Sequence, residues 1–130
     1  MLALTEADIV IGAERQFSVL DSLEGEAVVI QSGYAQRIHY PSPFSKLWDI
    51  LLTHKGRRIV LLASGDPLLF GLGGFLQQRL PSEQIVFHPA ISSIQMAFSR
   101  VGKAWQEAEI ISLHGRPLPS LRARLKRNSF

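Results

Sequence analysis

Residues 58–67 read RIVLLASGDP, and this stretch decides the fold. Its first part, residues 58–64, is almost continuously aliphatic, which is typical of a strand with both faces buried in a parallel sheet. Directly after it, Gly65 permits a tight turn, Asp66 is suited to cap a helix, and Pro67 is suited to the first helical position. A buried strand that leads straight into a helix indicates an α/β protein.

The same alternation continues on both sides of this stretch. Short β-branched or aliphatic runs predict further strands at residues 7–12, 84–89 and 109–114, with a weaker candidate at residues 27–31. Apolar residues at helical spacing predict helices at residues 43–54, 67–80 and 91–101, the first of them with Ser42 as its N-cap. Residues 31–43 are predicted to be an irregular loop. Together these elements predict a three-layer α/β sandwich around a mostly parallel sheet.

Composition limits the class of protein. With 130 residues, 46% hydrophobic and 19% charged, the chain is predicted to be one globular domain. Zero cysteines exclude a disulfide framework, a thiolate metal site and a cysteine nucleophile. His39, His54 and His88 lack metal-ligand spacing, so no metal is expected. The first residues do not form a signal peptide and no run is long enough to cross a membrane, so we expect a cytoplasmic protein.

Basic residues concentrate near the end of the sequence. Residues 116–130 hold five of the 14 basic residues and none of the 11 acidic ones. Leu118, Leu121 and Leu125 recur there at helical spacing, so we interpret residues 1–115 as the α/β domain and residues 116–130 as a basic helical tail. Its bases either form a solvated helix face or touch a polyanion. Without interleaved aromatic residues, the tail does not favour nucleic acid as a partner.

Two turns are candidates for a binding site, because parallel sheets bind ligands at the carboxyl ends of their strands. The first contains Ser64, Gly65 and Asp66. Helix capping alone explains Asp66, but not the three glycines inside the helix predicted to follow, each of which costs about 0.5–1 kcal/mol relative to alanine. Either a packed neighbour or a ligand must approach that helix closely. Those glycines are Gly71, Gly73 and Gly74.

The second candidate turn lies at residues 88–93. Ser92 and Ser93 place hydroxyls and backbone amides at the start of a predicted helix, where they act as a cap or as ligand donors. After the last predicted strand, Arg116 either clamps a carboxylate or begins the basic tail. No catalytic triad or pair of carboxylates is indicated by spacing.

Together, these turns resemble the tetrapyrrole methylase family. LLASGDPLLFG at residues 61–71 is followed by HPAISSIQMAFSRVGKAWQEAEIISLHGR at residues 88–116, and ADIVIGAERQ at residues 7–16 is similar to the family's second strand. The order SGDP, P-x-ISS-x-Q-x-AF, a tryptophan and SLHGR resembles the branch that methylates C5 of a precorrin in cobalamin biosynthesis. The resemblance covers nearly the whole chain.

The resemblance implies an S-adenosylmethionine-dependent C-methyltransferase that works as a homodimer on a tetrapyrrole, without nucleic acid or membrane. It places the cofactor at the carboxyl edge of the sheet and the tetrapyrrole in a cleft beside a second domain, with Arg116 as a candidate for the substrate carboxylates. The implied cofactor-binding residues are Ser64, Gly65, Asp66, Leu69, Ser92 and Ser93.

Two departures from the family pattern bear on function. Family members begin with a strand that ends in a GxGPG-type loop, and they continue into a second α/β domain. We therefore expect this chain to be an N-terminal domain without that first strand and second domain. The alternatives are another methyltransferase of the same fold, including relatives that act on RNA or on a modified protein histidine, and a non-catalytic α/β module that binds a ligand or partner.

Overall fold

A computed structural model of the chain describes residues 2–24, 35–114 and 117–127. The chain forms two compact units, Met1–Ser64 and Gly65–Phe130. The first unit ends directly after the aliphatic part of RIVLLASGDP, and the second begins with its glycine.

The first unit holds a parallel sheet. Strand β1 (Ile9–Gly12) lies between β2 (Gln36–His39) and β3 (Ile59–Leu61), and both neighbours run parallel to it. All four residues of β1 are buried. The α/β class and the parallel sheet are confirmed, and the strands predicted at residues 7–12 and 58–64 are confirmed with shorter bounds.

Helices alternate with these strands along the chain. They are α1 (Leu2–Thr5), α2 (Glu14–Glu24) and α3 (Leu47–Thr53), the last preceded by a 3₁₀ turn at Phe44–Lys46. The apolar core of the unit combines β1 with side chains of α2 and α3, namely Ile9, Val10, Ile11, Phe17, Leu20, Leu47 and Trp48. Burial of these side chains from water is the main force that holds the unit together.

The predicted helix at residues 43–54 is confirmed as the 3₁₀ turn and α3, but its predicted cap is wrong. Pro43 precedes the 3₁₀ turn in extended conformation, and no side chain caps that turn. Lys46, which precedes α3, also offers no capping side chain. The 3₁₀ turn leads directly into α3, so Ser42 is too early in the sequence to act as the N-cap.

Two further expectations for this unit are wrong. The side chains of β3 are half-buried, not buried on both faces, because β3 is an edge strand in the sheet of the described residues. The predicted loop at residues 31–43 contains β2, whose residues are mostly exposed. The weak strand candidate at residues 27–31 lies outside the described residues.

In the described part of the second unit, the regular secondary structure consists of helices and a 3₁₀ turn. It contains α4 (Leu72–Leu76), a 3₁₀ turn at Ser82–Gln84, α5 (Ser93–Val101) and α6 (Pro119–Arg127). The helix predicted at residues 91–101 is confirmed as α5. Of the three leucines in the predicted basic tail, Leu121 and Leu125 lie in α6, whereas Leu118 precedes it. The helix predicted at residues 67–80 is only partly right, since α4 occupies its middle and the residues before it form turns.

The strands predicted at residues 84–89 and 109–114 are wrong. Ile85 has extended backbone angles, φ −125° and ψ 130°, and Val86 is 78% exposed. Neither segment pairs with a strand of the described residues. An aliphatic run becomes a strand only when a neighbour supplies hydrogen bonds and cover, which its own sequence does not specify. The domain boundary between residues 115 and 116 falls outside the described residues and stays a prediction.

Among the described residues, none of the helices has the length and apolarity that crossing a bilayer demands. The same part of the chain contains no group of three histidine or carboxylate side chains placed to hold a metal ion.

Candidate functional site

The turn after β3 depends on glycine at position 65. Gly65 has φ +72°, in the left-handed region where side chains with a Cβ are strained. A Cβ placed on Gly65 would lie 3.5 Å from the Cα of Ser92 and 3.9 Å from the carbonyl oxygen of Ile91. The Gly65 backbone therefore lies against the residues that precede α5, and within the second unit it contacts the second candidate turn.

Asp66 stabilises this turn in a different way from the one predicted. Its carboxylate accepts a hydrogen bond from the Leu68 N–H at 2.8 Å, and its carbonyl accepts one from the Leu69 N–H at 3.2 Å. This is the pattern of an Asx turn. The prediction that Asp66 caps an α-helix with Pro67 in its first position is wrong, because the helix α4 begins only at Leu72. Leu69 is half-buried within the turn.

The glycines that follow have a structural explanation. A Cβ on Gly71 would lie 2.9 Å from the carbonyl oxygen of Pro67, and one on Gly73 would lie 2.8 Å from the same oxygen. The Gly73 N–H also donates to that oxygen at 2.8 Å. At Gly71 the close neighbour is the chain's own turn, and at Gly73 it is the same turn together with Phe87 Cε1 at 2.9 Å, so a ligand is not needed to explain them. Gly74 has no atom within 4 Å of its Cβ position and is not constrained by packing.

Sequence reasoning gave no sign of the conformation of Phe70. This residue has φ 52°, which is unusual for a residue with a large side chain, and its side chain is 49% exposed. It lies between the Asx turn and α4. No sequence signal would have found it, since left-handed backbone normally selects glycine or asparagine.

Ser92 and Ser93 have different environments at the start of α5. Ser92 is 5% exposed, and its hydroxyl accepts a hydrogen bond from the Gln95 N–H at 3.2 Å. The Gln95 side chain in turn accepts from the Ser92 N–H at 2.7 Å, which completes a capping box. Ser93 is exposed. The N–H groups of Ser93 and Ile94 donate to no described residue, as expected in the first turn of a helix.

In the first unit, Ser64 is exposed and has a partner that sequence reasoning missed. The Gln16 Nε2 donates to the Ser64 Oγ at 3.3 Å, while the Gln16 Oε1 accepts from the Ala13 N–H at 2.8 Å. The sequence carries only a weak signal for the role of Gln16. It stands three residues after Ala13, which is the spacing of a capping box, but alanine has no hydroxyl with which to complete one. Arg116, the candidate substrate residue, lies outside the described residues.

Polar side chains also meet at the carboxyl ends of β1 and β2. The His39 Nε2 lies 3.7 Å from a carboxylate oxygen of Glu14, and the His39 ring packs edge-on against Phe17 with ring centroids 5.3 Å apart. Tyr40 donates from its phenol to the Leu62 carbonyl at 2.7 Å. Burial raises the pKa of Tyr40 well above its usual value. These contacts fix the strand ends relative to one another.

A cleft of about 450 Å³ opens in the first unit beside the carboxyl end of β3. One wall is α2 and the other is the chain just after β3. The walls are mainly aliphatic, with polar groups supplied by an arginine, a glutamine and a serine. The lining residues are Arg15, Gln16, Val19, Leu20, Leu23, Leu62, Ala63 and Ser64.

Comparison with known proteins decides the family. The family model for Tetrapyrrole (Corrin/Porphyrin) Methylases matches residues 1–129. The chain belongs to the tetrapyrrole methylase family. The resemblance drawn from the SGDP and ISS motifs is therefore confirmed.

Several members of this family are similar to the chain. A decarboxylating precorrin-6Y C(5,15)-methyltransferase of a Sinorhizobium species is 38% identical over 123 residues, which are 94% of this chain and 27% of that protein. A cobalt-precorrin-7 C(5)-methyltransferase of Salmonella typhimurium is 28% identical over 88% of this chain and 52% of its own length. The chain thus spans between about a quarter and a half of these relatives.

A solved precorrin-6Y methylase has a similar fold. The crystal structure of a cobalamin-biosynthesis precorrin-6Y methylase from Archaeoglobus fulgidus matches with a TM-score of 0.62 and 21% identity. The match covers 88% of this chain and 55% of that one. At this level of identity the likeness supports the fold alone.

Proposed function

We propose that this chain forms part of an S-adenosylmethionine-dependent methyltransferase that methylates C5 of a precorrin in cobalamin biosynthesis. Its Ser64–Pro67 turn and the start of α5 would contribute to the cofactor site. The observation that carries the proposal is the contact of Gly65 with Ser92, 3.5 Å between the glycine's Cβ position and the serine's Cα. It joins the two motifs that the family resemblance assigns to the cofactor.

The described residues suit a cofactor with a carboxylate and hydroxyl groups. The missing side chain of Gly65 lets its backbone lie close to Ser92, which brings the turn next to the start of α5. The N–H groups of Ser93 and Ile94 make no hydrogen bond with a described residue and are available to a negatively charged or hydroxyl group. The exposed hydroxyl of Ser64 adds a side-chain donor just before the turn. Leu69, which is half-buried within the turn, would contact an apolar part of the ligand.

The bound cofactor would supply a methyl group on a sulfonium sulfur, which passes to a nucleophilic carbon as the carbon–sulfur bond breaks and the ring carbon loses a proton. The protein's task is alignment, which contributes up to about 7–11 kcal/mol in well-oriented reactions. In this chain, the Asx turn at Asp66 and the capping box at Ser92 would hold the binding groups rigid. Arg116 would pair with a carboxylate of the tetrapyrrole.

The test uses the longest polypeptide that the gene encodes around this chain. Calorimetric titration with S-adenosylhomocysteine is expected to show one binding site for each chain. Incubation with methyl-labelled S-adenosylmethionine and a precorrin is expected to transfer the label to the corrinoid. Binding without label transfer would favour a non-catalytic ligand-binding module, and the absence of both would contradict the proposal.

A further inference from the structure

Gln16 connects two segments that meet at the carboxyl edge of the sheet. The side-chain oxygen of Gln16, Oε1, accepts a hydrogen bond from the Ala13 N–H at 2.8 Å, in the loop that follows β1. The side-chain nitrogen of Gln16, Nε2, donates a hydrogen bond to the Ser64 hydroxyl oxygen at 3.3 Å, three residues after the end of β3. This half-buried side chain thus connects the loop after β1 to a serine 48 positions after Gln16 in the sequence.

The direction of these hydrogen bonds is determined by chemistry. The Ala13 N–H is a donor, so it requires the amide oxygen of Gln16, and the amide NH₂ must then face Ser64. The Ser64 oxygen therefore acts as an acceptor toward Gln16, and the Ser64 O–H remains a donor. No described residue accepts a hydrogen bond from it.

Comparison with α5 shows what is unusual about α2. At α5, Gln95 is the third helical residue, and it completes a capping box with the serine at the N-cap. At α2, Gln16 is also the third helical residue, but the N-cap position is Ala13, which has no hydroxyl. The hydroxyl that meets the glutamine comes instead from Ser64, in the SGDP motif.

Gly12 leaves the space that this arrangement needs. A Cβ on Gly12 would lie 2.8 Å from the Leu62 Cδ1 and 3.3 Å from the Gln16 Oε1. A larger residue at position 12 would push away the side chain of Gln16 or that of Leu62, just after β3. Ser64 and Gln16 also line the same cleft of about 450 Å³.

We propose that Gln16 is a positioning residue that holds the Ser64 hydroxyl as a hydrogen-bond donor to an oxygen of the bound cofactor. The inference rests on the proposed function, since it requires S-adenosylmethionine to reach Ser64. It extends that function to a residue outside the SGDP motif. Gln16 itself would not touch the cofactor and would act through Ser64.

The test is a double-substitution cycle, Gln16→Glu with Ser64→Ala, read by calorimetric titration with S-adenosylhomocysteine. Glutamate keeps the acceptor for Ala13, so α2 remains capped, but it replaces the NH₂ donor by an acceptor. The Ser64 O–H is then drawn to the carboxylate and lost to the ligand. Gln16→Glu should weaken binding about tenfold in the parent and less than about twofold in the Ser64→Ala background.

The controls separate this inference from its alternatives. Gln78→Glu, which adds the same charge at an exposed position, should leave affinity unchanged. If Gln16→Glu has no effect in the parent, or weakens binding equally in both backgrounds, Gln16 does not act through Ser64 and the inference is overturned while the proposed function stands. If the parent itself fails to bind S-adenosylhomocysteine, the proposed function fails.

Discussion

Tyr40 bridges the outer strands of the sheet at their carboxyl ends. Its N–H donates to the Gly12 carbonyl at the end of β1, and its phenol donates to the Leu62 carbonyl just after β3. The phenol can donate only while it is protonated. Burial, which penalises the phenolate, raises its pKa well above the usual value.

This raised pKa predicts a loss of stability at alkaline pH. Because the pKa of Tyr40 is higher in the folded chain than in the unfolded one, the stabilisation is fully present below about pH 10 and is lost as the pH rises further. Denaturant unfolding of the parent and Tyr40→Phe at several pH values above and below this point should show a steeper loss for the parent. Parallel curves for the two proteins would mean that Tyr40 ionises equally easily in both states.

Single glycines show how far the sequence specifies the candidate site. The SGDP motif was enough to predict a glycine-dependent turn, and Gly65 has the left-handed backbone that such a turn needs. It was not enough to decide between a packed neighbour and a ligand at Gly71 and Gly73. That answer depends on the Pro67 carbonyl folding back onto both positions, a contact that residue spacing does not reveal.

The burial of each strand explains whether it could be predicted from the sequence. β1 is buried along its whole length, so its sequence IVIG is continuously apolar and easy to recognise. β2 has the sequence QRIH and is mostly exposed, so it lacks an apolar signal although it pairs with β1 over four residues. α2 was missed for a similar reason, since Phe17 and Leu20 are its buried residues and Ala13 offers no capping signal.

The capping box of α5 supports a prediction about stability. Ser92→Ala removes the hydroxyl that accepts from the Gln95 N–H, and it should lower the free energy of unfolding by about 1 kcal/mol. Ser93→Ala is the matched control, because Ser93 is exposed and is the first helical residue; it should change that free energy by less than about 0.5 kcal/mol. Chemical denaturation measures both. Equal effects would show that the box does not stabilise the helix.

The molecule as a whole exposes large apolar side chains. On α2, Val19 is 54% exposed and Leu23 is 50% exposed, and both line the cleft beside β3. Apolar surface of this kind favours association. The family resemblance implies a homodimer, so light scattering coupled to size exclusion should give twice the mass of one chain. A constant monomer mass across a wide concentration range would contradict this expectation.

The Gly65 turn, packed against the start of α5, is the part of the chain that we propose binds the cofactor. Gly65→Val and Gly102→Val provide a matched pair, because both glycines have left-handed backbone, φ +72° and +63°. Each valine should therefore cost about 1–2 kcal/mol of stability. Only Gly65 lies against Ser92, whereas Gly102 is at the far end of α5 with no atom within 4 Å of its Cβ position.

Calorimetric titration with S-adenosylhomocysteine, on the longest polypeptide that the gene encodes around this chain, compares the two variants directly. We predict that Gly65→Val weakens binding at least about tenfold, while Gly102→Val stays within about twofold of the parent. Circular dichroism confirms that both variants are folded at the temperature of the titration. If a folded Gly65→Val variant binds as tightly as the parent, the turn serves only the fold and the assignment of the cofactor site is wrong.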